Sequence, residues 1–317
     1  MKICLVKTSS MGDIIHALPA LTDAQRAIPN LQVDWVVEPA FAEIPRWHSA
    51  VQNVIPIAIR LWRKHLFQRQ TWRQWFAYKQ QLQATNYDAV IDAQGLLKSA
   101  LFATRLARGQ KFGYDKQSSR EGLSHYCYDH TFHIPYQQHA VERIRQLFAA
   151  ALGYRLAEKT GDYGIAHHFT KNQADQTAYL IAIHATTRPD KHWPESHWHT
   201  TLQALTNEGW HIRLPWGNEA ERQRAERLAQ DNPQIQVLPK LSLTALATQI
   251  AHAQAVISVD TGLSHLAAAL DKPNVILYGA TDPKLIGAYG KNQHYLTAQG
   301  MANISPEQVL EKLAVLG

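Results

Sequence analysis

Cysteine is nearly absent from this 317-residue chain: Cys4 and Cys127 are the only two. Two thiols cannot build a disulfide framework, so the fold must rest on apolar burial, as in a reducing compartment. No apolar run approaches the roughly 18 residues that a bilayer crossing requires. The start, Met1-Lys2-Ile3-Cys4-Leu5-Val6-Lys7, reaches a second lysine after four apolar residues, too few for a secretory leader. A cytoplasmic location is the expectation. G-x-G-x-x-G, C-x-x-C and H-E-x-x-H are all missing, which argues against a dinucleotide site in the first half and against zinc. The 17 histidines are scattered, and no two aspartates stand at i, i+2, so a carboxylate clamp for a metal is not expected either. With 45% hydrophobic and 18% charged residues, the composition is that of a globular protein, and the length suits about two domains.

Acidic residues are unevenly missing as well. Residues 1–150 carry 18 Lys/Arg against 11 Asp/Glu, whereas residues 151–317 carry 14 against 15. From Ile44 to Tyr87 there is no acidic residue, but there are Arg46, Arg60, Arg63, Lys64, Arg69, Arg73 and Lys79, with Trp47, Trp62, Phe67, Trp72, Trp75, Phe76 and Tyr78 among them. Such a stretch suits a polyanion: nucleic acid, an anionic membrane or a phosphorylated substrate. It also suits a solvated helix face with core aromatics behind it.

What is present alternates. Strand-like runs (2–7, 33–37, 54–58 and 89–92) interleave with helical patterns near 18–28, 66–84, 96–107 and 138–152. The second half repeats the scheme, with strands at 179–184, 211–214, 235–238, 255–259 and 274–278 and helices near 195–208, 218–230, 243–253, 262–270 and 305–315. Continuous apolar strands alternating with helices predict parallel sheets covered on both faces. Residues 153–178 lack periodicity and read as the linker. In doubly wound folds the ligand sits outside the carboxyl ends of the strands, so those loops are the candidate sites.

After the first strand comes Thr8-Ser9-Ser10-Met11-Gly12-Asp13, whose Asp13 reads either as a helix cap or as a general base for an acceptor hydroxyl. The loop 184–194 offers Thr186, Thr187 and Lys191, the usual partners of phosphate oxygens. Asp260-Thr261-Gly262-Leu263-Ser264-His265 opens a helix at a strand end, an arrangement that binds anions through free N–H groups, or else a plain cap with a core histidine. Glu219 and Glu221 read as favourable first-turn charges or as ribose acceptors. Arg60, Arg63 and Lys64 are expected on a loop after the strand at 54–58, with Lys98 and Arg120 adding charge from neighbouring loops. Together they form a candidate acceptor site for carboxylates and phosphates.

The segments Lys7–His16, Asp92-Ala93-Gln94-Gly95-Leu96-Leu97-Lys98-Ser99, Lys191-His192-Trp193-Pro194 and Asp260–His265 resemble, in order and over nearly the whole chain, the lipopolysaccharide heptosyltransferases of glycosyltransferase family 9. The resemblance implies an α/β GT-B fold: two Rossmann-like, doubly wound domains facing across a cleft, residues 1–160 binding the acceptor and 161–317 binding ADP-heptose. It implies inverting transfer of L-glycero-D-manno-heptose from ADP-heptose to the Kdo of Kdo2-lipid A, without cofactor or metal, at the cytoplasmic face of the inner membrane. By the same resemblance Asp13 is the base; Thr186, Thr187 and Lys191 hold the diphosphate; Glu221 faces the ribose; Asp260, Thr261, Gly262 and His265 form the second donor loop. Leu241 stands near the adenine where relatives commonly have Met, a volume-conserving swap. Leu61 stands where they commonly have a second Arg, removing a positive charge beside Arg60. Two other readings stand beside this one. One is a relative that uses the same donor on an already heptosylated core. The other is a non-catalytic polyanion-binding protein, against which the neutral second half argues; no nucleic-acid partner is expected.

Overall fold

Ile3, Cys4, Leu5 and Val6 are all fully buried, as a strand covered on both faces requires, and they form β1 (Lys2–Val6) at the middle of a parallel sheet. The computed structural model describes residues 1–157, 159–169 and 178–315. They divide into two units, Met1–Gly164 and Ile165–Gly317. Of the linker read from the sequence, Glu158 and residues 170–177 lie outside the described residues.

The first unit contains β1, β2 (Gln32–Val37), β3 (Val51–Pro56), β4 (Asn86–Asp92), β5 (Arg108–Tyr114) and β6 (His130–Phe132), in the order β3-β2-β1-β4-β5-β6. All pairings are parallel. Helices Leu18–Ala27 and Ala140–Leu152 are joined by an ion pair between Asp23 and Arg145 at 2.6 Å, both side chains being less than a tenth exposed. Pro19 falls in the first turn of its helix, where a missing N–H costs nothing.

The second unit contains β7 (Tyr179–Ile183), β8 (His211–Leu214), β9 (Ile235–Val237), β10 (Ala255–Val259), β11 (Asn274–Tyr278) and β12 (Gln293–Thr297), in the order β12-β11-β10-β7-β8-β9. Numbered within each unit, both orders are 3-2-1-4-5-6, the doubly wound arrangement. Its core is centred on Trp193 and Trp198 with Leu202, Leu205, Ile257 and Leu277. The Trp193 indole donates to the Ile304 carbonyl at 2.9 Å, and Arg224 donates to the Trp193 carbonyl at 2.6 Å. Those two bonds fix the end of the loop that carries Lys191.

The α/β class and the parallel sheets match the sequence reading, but the strands β5, β6 and β12 were not foreseen, and two segments differ in kind. The helix expected over 96–107 is a short turn, Leu97–Ser99, followed by a wider π-type stretch, Ala100–Thr104. Arg60, Arg63 and Lys64, expected on a loop, stand on a six-residue helix, Ile59–Lys64, because Ile59 and Trp62 turn inward onto the core beside Tyr78 and Leu82.

Candidate functional site

In each unit the strand order reverses beside the first strand of that unit: β1 has β2 on one side and β4 on the other, and β7 has β8 and β10. Loops leaving such a pair diverge and open a crevice, the usual ligand position in open α/β sheets.

In the first unit the crevice holds Asp13. It stands at the third position of the helix Met11–Ile15, and its Oδ2 accepts from the Ser10 N–H at 2.8 Å and from Ser10 Oγ at 3.1 Å. Ser10, not Asp13, is thus the N-cap, and Asp13 reaches back to it from the third helical position. The carboxylate still keeps about a third of its surface open, and Oδ1 lies 3.8 Å from Lys7 Nζ. Lys7, at the end of β1, is almost wholly buried and donates to the Ala93 carbonyl at 2.9 Å. Burial pulls its pKa down, while Asp13 and Asp92 push it back up. A solvent-accessible carboxylate held in one place by the Ser10 bonds and standing beside Lys7 has the geometry to take a proton from an incoming hydroxyl.

Basic side chains gather around this point. Arg60 Nε pairs with Glu38 at 3.2 Å, and Arg60 Nη2 donates to Ser9 Oγ at 3.2 Å. Burial raises the pKa of Glu38, and the nearby charges of Arg60 and Lys98 oppose that rise. The Arg120 backbone follows Gly95 closely, 3.5 Å from where a Cβ on that glycine would stand; Gly95 has φ +64°, a conformation that favours glycine. Arg60, Lys98 and Arg120 thus belong to one neighbourhood with Asp13 and Lys7. Arg63 and Lys64 lie exposed on the helix Ile59–Lys64, and no contact ties them to Asp13.

In the second unit the loops after β7, β10 and β11 are tied by one carboxylate. Asp260 Oδ2 lies 2.5 Å from Lys191 Nζ and 2.5 Å from Thr281 Oγ1. Thr186 Oγ1 donates to the Asp260 carbonyl at 3.4 Å, and the Thr186 carbonyl contacts His192 Nε2 at 2.9 Å. Thr261 is the N-cap of the helix Gly262–Ala269, yet its hydroxyl makes no capping bond. The first turn therefore offers N–H groups, with the positive end of the helix dipole, to an incoming anion. Gly262 places no side chain in the way, Thr187 is exposed beside the loop, and His265 is buried one turn in. This cluster provides a cation, hydroxyls and amides within one crevice, the chemistry of a diphosphate site.

Two predicted donor residues stand apart from that knot. Glu221 caps its own helix, Glu219–Ala229: Oε2 accepts from the Gly217 N–H and Oε1 from Asn218 Nδ2, both at 2.7 Å. Leu241 is half-buried just ahead of the helix Leu243–His252. Both follow strands β8 and β9, on the same rim of the sheet as the knot. The residues to which sequence reasoning gave no role are Lys7, Gln94, Glu38 and Thr281. Lys7 and Gln94 lay inside quoted motifs, but their significance depends on β1 and β4 becoming neighbours.

The sequence pattern of glycosyltransferase family 9 (heptosyltransferase) matches residues 75–314. The chain belongs to that family. The lipopolysaccharide heptosyltransferase 1 of Escherichia coli K12 is 54% identical, with the full length of both chains covered. The Pseudomonas aeruginosa protein of the same name is 51% identical over 93% of this chain and 83% of its own. Among solved structures, the E. coli heptosyltransferase WaaC with ADP is 52% identical, covers both chains fully and superposes with a TM-score of 0.98. The same enzyme with ADP-2-deoxy-2-fluoro heptose gives 0.95 at 51% identity. This family 9 chain is thus a glycosyltransferase with two Rossmann-like sheets of the GT-B type. Among the described residues no group of three or more His, Cys, Asp or Glu is placed to hold a metal, and no helix is long and apolar enough to cross a membrane.

Proposed function

We propose that this family 9 enzyme transfers L-glycero-D-manno-heptose from ADP-heptose to the Kdo region of Kdo2-lipid A in the assembly of the lipopolysaccharide inner core. The observation that carries the reading is the Lys191–Asp260–Thr281 knot, next to an uncapped helix start at the strand-order reversal of the second unit. It supplies what the diphosphate of a nucleotide-sugar needs, and the similar E. coli enzyme was solved with ADP and with an ADP-heptose analogue. Thr186, Thr187, Lys191 and the Gly262 amide face the diphosphate in this reading. Glu221 turns to the ribose, Leu241 to the adenine, and His265 backs the loop.

In the mechanism, the acceptor hydroxyl oxygen attacks the anomeric carbon of the heptose as the bond to ADP breaks. Asp13 takes the hydroxyl proton, and the electron pair of the broken bond leaves with the ADP. A single displacement inverts the anomeric centre. Lys191, the hydroxyls and the helix dipole carry the charge that develops on the diphosphate, the kind of electrostatic stabilisation that needs no rearrangement during the reaction. Arg60, Lys98 and Arg120 meet Kdo carboxylates and lipid A phosphates, with Arg63 and Lys64 further out.

The acceptor is anchored in a bilayer, so the enzyme works as a peripheral protein at the cytoplasmic face of the inner membrane. Phe67 is fully exposed, and Trp72 and Phe76 are more than half exposed, on and just before the helix Arg69–Gln83 that also bears Arg69, Arg73 and Lys79. Trp62 and Trp75 instead pack edge to face, 5.7 Å apart, in or against the core. Exposed aromatics among basic residues are the composition of an interfacial helix. The test is to mix the protein with ADP-heptose and Kdo2-lipid A. Release of ADP together with a heptosylated acceptor is the expected outcome; no transfer to Kdo2-lipid A, with transfer to a heptosylated core instead, would overturn the acceptor assignment.

A further inference from the structure

The loop between β1 and Asp13 contains its own anchor, contributed from 86 residues away. The Gln94 side-chain oxygen accepts from the Thr8 N–H at 2.8 Å, from Thr8 Oγ1 at 3.4 Å and from the Ser9 N–H at 3.3 Å. Gln94 is itself 6% exposed and is held from behind. Its own N–H and that of Gly95 donate to Asp92 Oδ1 at 2.9 and 3.1 Å, and Asp92 is fixed in turn by Thr104 Oγ1 at 2.9 Å. One residue past the anchored amides, Ser10 gives its N–H and hydroxyl to Asp13 Oδ2.

We infer that Gln94 is a positioning residue: its carboxamide oxygen, by holding the Thr8 and Ser9 amides, sets where Ser10 and hence the Asp13 carboxylate stand in the acceptor crevice. No other side chain is bonded in the described structure to both amides. Two consecutive N–H groups aimed at one oxygen form a rigid seat, and an anchor one residue from the Ser10 amide leaves that amide little freedom. Lys7, bonded to the carbonyl of Ala93, ties the same two strand ends together from the other side. The β1 and β4 ends then act as one block that carries the carboxylate. Displacing a proton acceptor by about 1 Å costs about 100-fold in rate, so an anchor of this kind controls turnover without touching a substrate.

This inference rests on the reading of Asp13 as the base, and its test separates the two. Turnover and donor affinity are measured for Gln94→Met, which keeps the size and removes the acceptor; for Gln94→Glu, which restores an acceptor oxygen; for Asp13→Asn; and for the double variant of Gln94→Met with Asp13→Asn. Gln94→Met is expected to lower kcat about 10- to 100-fold with the Kd for ADP within twofold, and Gln94→Glu to recover most of that loss. The double variant should be no slower than Asp13→Asn alone, since both changes act through one carboxylate. Should Gln94→Met fail to fold, Gln94→Asn, whose oxygen is drawn back by one methylene, takes its place with the same expected pattern. A fully active Gln94→Met enzyme beside an impaired Asp13→Asn enzyme would overturn the anchor and leave the base intact. Losses that multiply in the double variant would also overturn it, because they would show Gln94 acting independently of Asp13. Near-normal turnover in Asp13→Asn would remove the base and the anchor together.

Discussion

Replacing Lys191 with Met tests the proposed donor site most directly, because ADP is soluble and its binding is measured without the lipid. Nζ is 2.5 Å from Asp260 Oδ2, and the two side chains are 14% and 10% exposed, so the charge pair is mostly shielded from water. A hydrogen bond to a charged group contributes about 1.5–3 kcal/mol. Without nucleotide the lysine is already engaged with Asp260, so the net gain on binding a diphosphate lies at the lower end of that range. At about 1.4 kcal/mol per tenfold, the Kd for ADP should rise about tenfold. The substitution also leaves the Asp260 carboxylate with Thr281 and without its cation, which should destabilise the unliganded protein by about 1–3 kcal/mol. Thermal unfolding of the unliganded variant measures that second effect, and calorimetric titration with ADP measures the first. Repeating the titration at rising salt should narrow the gap between variant and parent, since the lost contribution is electrostatic. A fall in Tm with unchanged ADP affinity would refute the reasoning and leave Lys191 a strut between two loops.

Asp13→Asn preserves shape and should cut turnover by about 100-fold or more, with ADP affinity unchanged; stopped-time assays of ADP release measure the first and calorimetry the second. Binding to vesicles containing Kdo2-lipid A should weaken steeply with salt, and the variant combining Arg60→Ala with Arg63→Ala should raise the acceptor KM while sparing the donor; equal effects on both would place the acceptor site elsewhere. Trp72→Ser with Phe76→Ser should reduce sedimentation with those vesicles and leave ADP binding intact; unchanged sedimentation would free that helix of any membrane role. Burial, helped by the charge of Arg224, pushes the His184 ring down to about 3 from an ordinary 6.5, so it stays neutral when folded. As pH falls below 6.5 the unfolded chain takes a proton that the folded one refuses. Stability is therefore lost progressively from 6.5 toward 3, about 2 kcal/mol at pH 5. His184→Leu should flatten this acid limb in Tm measurements between pH 7.5 and 5, and an unaltered limb would assign the acid sensitivity to other groups.

The strands buried on both faces are the plainest in the sequence, although short apolar runs also made the edge strands β3 and β9 legible. β1, β7, β10 and β11 are mostly apolar, with Ser258 the one polar residue inside β10, and each lies in the interior of its sheet. The missed strands β5, β6 and β12 lie toward the sheet edges, where one face meets solvent and polar residues enter: Arg108–Tyr114 reads RGQKFGY, with two glycines and three polar side chains. The helix expected over 96–107 had the right apolar spacing, but Asp92 overrides it. Its buried carboxylate takes hydrogen bonds from Ser99 Oγ and Thr104 Oγ1, five residues apart, and a π turn stacks residues at that interval. The Arg105 N–H accordingly donates to the Ala100 carbonyl at 2.8 Å. Thr186, Lys191 and Asp260, which the structure brings together, could be picked out as candidates because each stands in a short polar segment at a strand end. Thr281 and Gln94 could not, since a lone polar residue acquires meaning only when a distant strand is laid beside it.

Asp13, Gln94, Lys191 and Asp260 all follow the carboxyl ends of strands, so these four stand on one rim of their sheets and none of them on the opposite rim. Helices end there and strands begin, with left-handed residues such as Asn30 and Asp271 making the reversals. Pro29, Glu208 and Gln254 are exposed at such junctions. Cys4 and Cys127 are both buried, so a single cysteine introduced at any of the three would be the one thiol readily open to a reagent. At Glu208 or Gln254 a fluorophore or spin probe would stand on the rim opposite Lys191 and Asp260, where it should register the arrival of nucleotide in the second unit without obstructing it.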